Sequence, residues 1–95
     1  MVKSEKSKEV PIIEEVNKSN AGQSNSLILH NDEVNSFDFV IECLIDICEH
    51  SLVQAEQCTY LVHYKGKCDV KSGSYDYLNS MRLALLEKGL QATID

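Results

Sequence analysis

At Leu27 the chain changes character, and that change limits what it can fold into. Before it, residues 1–26 are rich in Ser, Asn, Lys and Glu and contain no aromatic residue. Such a stretch cannot bury enough apolar surface to offset its ordering entropy, so the reading is a disordered N-terminal tail over 1–26 and a folded core over 27–95. Val10-Pro11-Ile12-Ile13 is the one sticky spot in the tail. After Leu27 apolar residues return with regular periods. A core of that length has room for a single domain.

Leu27-Ile28-Leu29-His30 is a short apolar run and suits a strand. Asn35 or Ser36 can cap the helix that follows, and Asp38 favours its positive end. Phe37, Val40, Ile41, Leu44, Ile45 and Cys48 recur at helical spacing, with Asp38, Glu42, Asp46 and Glu49 on the other side, which predicts an amphipathic helix over 37–50. Ser51-Leu52-Val53-Gln54 has the form of a capping box and opens a second helix over 52–64, which Gly66 ends. Lys67 to Lys71 alternates as a strand does. Ser74 caps a third helix carrying Tyr75, Leu78, Met81, Leu85 and Leu86. Lys88-Gly89 stops it, and Leu90 to Ile94 alternates again. The order is tail-β-α-α-β-α-β. An α+β fold, with three helices segregated on one face of a small three-stranded antiparallel sheet, is the layer solution.

Charge excludes some functions. Lys3, Lys6, Lys8 and Lys18 cancel Glu5, Glu9, Glu14 and Glu15, so the net −6 belongs to residues 27–95, with five basic and eleven acidic residues. An acidic core without clustered cations does not suit nucleic acid. The apolar runs are too short to cross a bilayer, and the polar start has no apolar signal region, which gives a cytoplasmic expectation. Reduced thiols follow for Cys43, Cys48, Cys58 and Cys68, whose spacings are too wide for a zinc knuckle. No phosphate loop, nucleophile elbow or zinc-protease helix is present, so no cofactor and no metal are expected. Cys58 and His63 lie five helical steps apart, on different sides of their helix, which argues against a nucleophile pair.

One dispersed set of polar residues stands out. Asn31 and Asp32 follow the first strand, and His63 closes the second helix. A carboxamide oxygen, a carboxylate and a neutral imidazole are all acceptors, and three acceptors with one negative charge suit an ammonium group. The residues alone leave other readings open. Asn-Asp after a strand is ordinary turn chemistry, and a helical His beside Leu61 and Val62 can be structural.

The strings Leu29-His30-Asn31-Asp32-Glu33, Phe39-Val40 and Leu61-Val62-His63-Tyr64-Lys65-Gly66, in this order and spacing, resemble the ClpS family over residues 27–95. Members of that family are adaptors of the ATP-dependent Clp protease that recognise N-degrons. The resemblance implies a fold like the C-terminal domain of the ribosomal stalk protein and no enzymatic activity. It implies that Asn31, Asp32 and His63 hold the free α-amino group of a substrate. Asn35, where the family usually has Thr, would contact the substrate backbone. Phe37, Val40, Thr59, Val62 and Leu90 would line a pocket for a large hydrophobic first residue. The implied partners are a Clp-type AAA+ unfoldase of the ClpA or ClpC type, with Asp76 and Arg82 at that interface, and N-degron substrates. The tail would be engaged by the unfoldase pore during handover.

Departures from the family pattern carry expectations of their own. Glu33 replaces the usual third Asp, and Ser36 stands where a Pro normally opens the helix. Phe37 replaces a Met that gates the pocket, which makes that wall stiffer. Thr59 replaces an apolar residue and should make one wall more polar. Two rival readings keep other classes open: a stalk-like interaction module without a terminus pocket, and a small thiol or metal protein using Cys58, Cys68 and His63.

Overall fold

The computed structural model describes residues 24–95; residues 1–23 of the expected tail lie outside this range, and its last two, Asn25 and Ser26, belong to the first strand. The elements run β1 (Asn25–His30), α1 (Phe37–Cys48), α2 (Leu52–Lys65), β2 (Lys67–Gly73), α3 (Tyr75–Glu87) and β3 (Gln91–Ile94). The strands form one antiparallel sheet in the order β2-β1-β3. The predicted α+β fold is the observed one. β1 is therefore central, and the loop that leaves it emerges from the middle of the sheet.

Each helix begins as its sequence dictates. The Ser36 hydroxyl accepts from the Phe39 N–H, so Ser36 caps α1 and Asn35 is left free for another task. Ser51 and Gln54 form the reciprocal capping box of α2. Ser74 accepts from the Tyr77 N–H at the start of α3. Leu27 and Leu29 of β1 pack with Leu44 and Cys48 of α1 and with Leu78 and Leu85 of α3, all at most 1% exposed. Burial on this scale stabilises by about 1.5–3 kcal/mol per large apolar side chain.

The element boundaries differ from the sequence reading by a residue or two, as when the second strand runs on past Lys71 to Gly73. β1 begins at Asn25, ahead of the apolar run, because Asn25 and Ser26 pair with Gly73 and Ser72. α1 ends at Cys48 instead of residue 50. Glu49 turns left-handed at φ 62°, and its N–H bonds back to the Leu44 carbonyl. The Lys71 ammonium caps the freed Cys48 carbonyl at 3.0 Å. Leu90 falls just before β3, because its N–H closes the end of α3 on the Leu85 carbonyl.

A bulge marks the β1–β2 ladder. Leu27 pairs with Lys71 and Ile28 with Asp69, which leaves Val70 as the extra residue. The Val70 carbonyl accepts instead from Nε2 of buried His50, at 2.6 Å. A single side chain thus ties the α1–α2 connection to the irregular point of the sheet.

Candidate functional site

The β1–α1 loop, residues 31–36, is fastened at both ends to left-handed glycines. The Asn31 N–H donates to the Gly66 carbonyl at 2.9 Å, which brings the end of β1 to the end of α2. The Asn35 side-chain amide donates to the Gly89 carbonyl at 3.1 Å, which brings the start of α1 to the turn before β3. Gly66 has φ 97° and Gly89 φ 88°, a region that L-residues with a Cβ enter only with strain. These two bonds gather three distant stretches of sequence around one hollow.

Asp32 organises the loop between those anchors. Its Oδ1 accepts from the Val34 N–H at 2.8 Å and from the Asn35 N–H at 2.9 Å. Both carboxylate oxygens also meet the Asn35 amide, at 3.2 and 3.1 Å. Burial pushes the Asp32 carboxyl up. The Asn35 N–H, the Asn35 amide and the Val34 N–H together outweigh it and hold the pKa below the ordinary value of 3.8. Asp32 is therefore a fixed negative charge at neutral pH.

The hollow is a cavity of about 380 Å³. Every residue for which the family resemblance implied a substrate contact lines it: Asn31, Asp32, Asn35, Phe37, Val40, Thr59, Val62, His63 and Leu90. Polar groups of the loop and of α2 meet apolar groups of both helices and of the α3–β3 turn. Val40, Val62 and Leu90 are also members of the core, so packing and lining are one role for them. Leu29, His30, Glu33 and Ser36 complete the wall. The His30 Nε2 is engaged with the Thr93 hydroxyl across the β1–β3 ladder at 2.8 Å.

Two expectations need revision. The polar wall expected from Thr59 is muted. Its hydroxyl donates to the Ala55 carbonyl one turn back at 2.7 Å, and the residue is 2% exposed. With the hydrogen spent on the helix, Thr59 acts chiefly as a small β-branched filler. Asn35 is also more committed than a substrate contact requires. Both of its amide hydrogens are used, on Asp32 and on Gly89, so only its Oδ1 is left to meet a ligand.

Asp76 and Arg82 are not brought together. Asp76 is exposed in the first turn of α3, and Arg82 is half-buried with its Nε donating to Asn79 Oδ1 at 3.0 Å. They are six positions apart, which sets them about 120° apart around the helix.

The thiols are inward-facing. Cys43 and Cys48 are buried in the core. Burial pushes the Cys48 thiol up to about 11, against the opposing pull of the Lys71 ammonium. Burial and then the adjacent Cys58 push Cys68 up to about 12. Thiols so disfavoured as thiolates are poor nucleophiles and poor metal ligands. Among the described residues no three His, Cys, Asp or Glu side chains are grouped to share a metal ion. None of the described helices is long and apolar enough to cross a membrane.

Sequence reasoning missed the aromatic surroundings of the cavity. Phe37 and His63 on the lining make edge-to-face contacts with Tyr60 and Tyr64 beyond it. The signal was present in Tyr60-x-x-His63-Tyr64, since residues three and four apart share a helix face.

The described residues form a small α+β domain with a socket lined by acceptors on one side and apolar groups on the other. Family comparison gives it a lineage. Residues 21–93 match the family described as ATP-dependent Clp protease adaptor protein ClpS, and the chain belongs to that family. The ATP-dependent Clp protease adapter protein ClpS of Acetivibrio thermocellus is 39% identical over 62 residues, 65% of this chain and 62% of that protein. The chain thus matches a little under two thirds of that relative's length. The solved structure of Agrobacterium tumefaciens ClpS2 bound to L-phenylalaninamide superposes with a TM-score of 0.74 at 18% identity. It covers 78% of this chain and 96% of that one.

Proposed function

We propose that this chain captures substrates that begin with a free, large hydrophobic residue and delivers them to a Clp-type AAA+ unfoldase. It performs no chemistry of its own; ATP hydrolysis and proteolysis belong to the partner. The observation that carries this reading is the shared cavity: the Asp32 carboxylate, the Asn31 carboxamide and the His63 imidazole border the same hollow as Phe37, Val40, Thr59, Val62 and Leu90. The polar side suits an α-ammonium and the apolar side suits the first side chain. The Agrobacterium relative supports the reading, because L-phenylalaninamide has both a free amino group and a phenyl ring.

The selectivity has a physical basis. An ammonium leaves water without loss only where several acceptors replace its hydration. An acetylated terminus or an internal residue brings no ammonium and leaves the Asp32 charge without a counter-ion in the socket. Burial of the first side chain adds about 1.5–3 kcal/mol. Handover requires release, so affinity on the order of micromolar, about −8 kcal/mol, fits the role. Asp76 and Arg82 on α3 are the proposed contacts to the unfoldase. Their separation around the helix means that each meets a different part of the partner.

The test is fluorescence anisotropy with paired peptides that begin with free or acetylated Phe or Leu. Free peptides bind and acetylated ones do not; equal binding of both forms ends this reading. A stalk-like module without a terminus pocket predicts that equality.

A further inference from the structure

Four aromatic rings close a circuit at the rim of the cavity. Phe37 meets Tyr60 with ring centres 6.3 Å apart and Tyr60 meets Tyr64 at 4.5 Å. Tyr64 meets His63 at 4.9 Å, and His63 returns to Phe37 at 6.0 Å. The interplanar angles run from 72° to 87°, so every contact is edge to face. That arrangement matches the quadrupole preference of aromatic pairs. Phe37 and His63 line the cavity, whereas Tyr60 and Tyr64 do not.

His63 needs such support. It lies exposed in the last turn of α2, and among the described residues no hydrogen bond orients its ring. A functional imidazole is usually aimed by a hydrogen bond at its second nitrogen. Here two flanking rings, Phe37 and Tyr64, stand in that place. Tyr60 links them from behind, one helical turn from Tyr64. Neither tyrosine is core: Tyr60 is 55% and Tyr64 67% exposed. Structural need for packing does not explain two large rings held at right angles in solvent.

We propose that Tyr60 and Tyr64 are positioning residues of the socket. They hold the Phe37 ring and the His63 imidazole in the orientation in which both face a bound chain terminus. This rests on the reading above that the cavity takes such a terminus. Without the circuit, Phe37 and His63 sample several rotamers, and binding must first select the right pair.

The test compares Tyr60→Ala and Tyr64→Ala with Tyr60→Phe and Tyr64→Phe. The contacts are ring to ring, so Phe preserves them and Ala removes them. Affinity for a peptide with a free N-terminal Phe falls about three- to tenfold in each Ala variant, the range an edge-to-face ring pair corresponds to. In the Phe variants it stays within about twofold of wild type. In the free protein, the NMR signals of the His63 imidazole and the Phe37 ring shift and average in the Ala variants and keep their wild-type pattern in the Phe variants. Ala variants that bind like wild type overturn the proposal, as do His63 and Phe37 signals untouched by the loss of either ring. If wild type binds free and acetylated peptides equally, the functional reading fails and this proposal falls with it. If wild type discriminates and the Ala variants match it, only the positioning role fails.

Discussion

The backbone N–H of Asn31 donates to the carbonyl of Gly66 across 2.9 Å. Thirty-five positions apart in the chain, these residues join the end of the central strand to the end of the second helix. The acceptors of the loop thereby stand beside His63. The bond depends on the left-handed Gly66, whose carbonyl is aimed by a φ of 97°.

Gly66→Ala isolates that dependence. A Cβ at Gly66 meets nothing within 4 Å, so its cost is conformational and not steric. The expected loss is about 1 kcal/mol of stability, with a several-fold weaker affinity for a free N-terminal Phe peptide as the loop shifts from His63. Thermal melts and anisotropy on the same samples check it. Unchanged binding would show that the Asn31–Gly66 bond does not align the site.

Asn35→Ala releases the opposite anchor. It removes the donors to Asp32 and to Gly89 together. Two hydrogen bonds of this kind are worth about 1–3 kcal/mol. Asn35→Asp should be worse than Asn35→Ala, because it sets a second carboxylate against Asp32 and faces the Gly89 carbonyl with an acceptor. Urea denaturation of the three proteins orders them; Asp equal to Ala would contradict this geometry.

Asp32 sets the acid behaviour of the loop. Its carboxyl is held below the ordinary 3.8 in the folded chain, so the stabilisation is present above the unfolded value and is lost as pH falls through the lower folded one. The stability gap between wild type and Asp32→Asn is therefore full above about pH 4 and closes below it. Melts from pH 2 to pH 7 measure it. A gap that widens in acid would have the wrong sign. At neutral pH Asp32→Ala weakens peptide binding at least about tenfold, a loss of about 1.4 kcal/mol or more. Exposed Glu33, changed to Ala, alters it less than about twofold, as expected for a surface charge.

Thr59→Val tests the revised view of the cavity wall. The hydroxyl is spent on the Ala55 carbonyl, so an isosteric methyl changes the lining little. Affinity for a Phe peptide stays within about threefold and stability within about 1 kcal/mol. Isothermal titration calorimetry gives the first and a thermal melt the second. A tenfold loss would mean that the hydroxyl faces the ligand after all.

Cys48 and Cys68 resist alkylation in the native protein at pH 7.5. Burial holds their thiols up to about 11 and about 12, well above that pH. A time course with iodoacetamide, read by peptide mass spectrometry, shows slow labelling at both and fast labelling once urea unfolds the chain. Rapid native labelling at Cys68 would revive the thiol-protein reading.

Local sequence sufficed to place the helices and strands, because caps and periodicity act within a few residues. Ser36, Ser51 and Ser74 start the helices through bonds to N–H groups three positions on. The alternation of Leu27 and Leu29 with the helical stripe through Leu44 and Cys48 fixes which faces meet. Of the residues that line the cavity, Asn31, Asp32 and His63 stood out as acceptors by their chemistry, and Asn35, Phe37, Val40, Thr59, Val62 and Leu90 were implied by the family resemblance. How those residues are engaged was not legible in the string. That Asn35 spends a hydrogen on Gly89 and that Phe37 closes the ring circuit with Tyr60 and His63 depend on backbones distant in sequence meeting at ångström precision. A string records which groups are available; the partner each one takes is a competition resolved only where the chain segments converge.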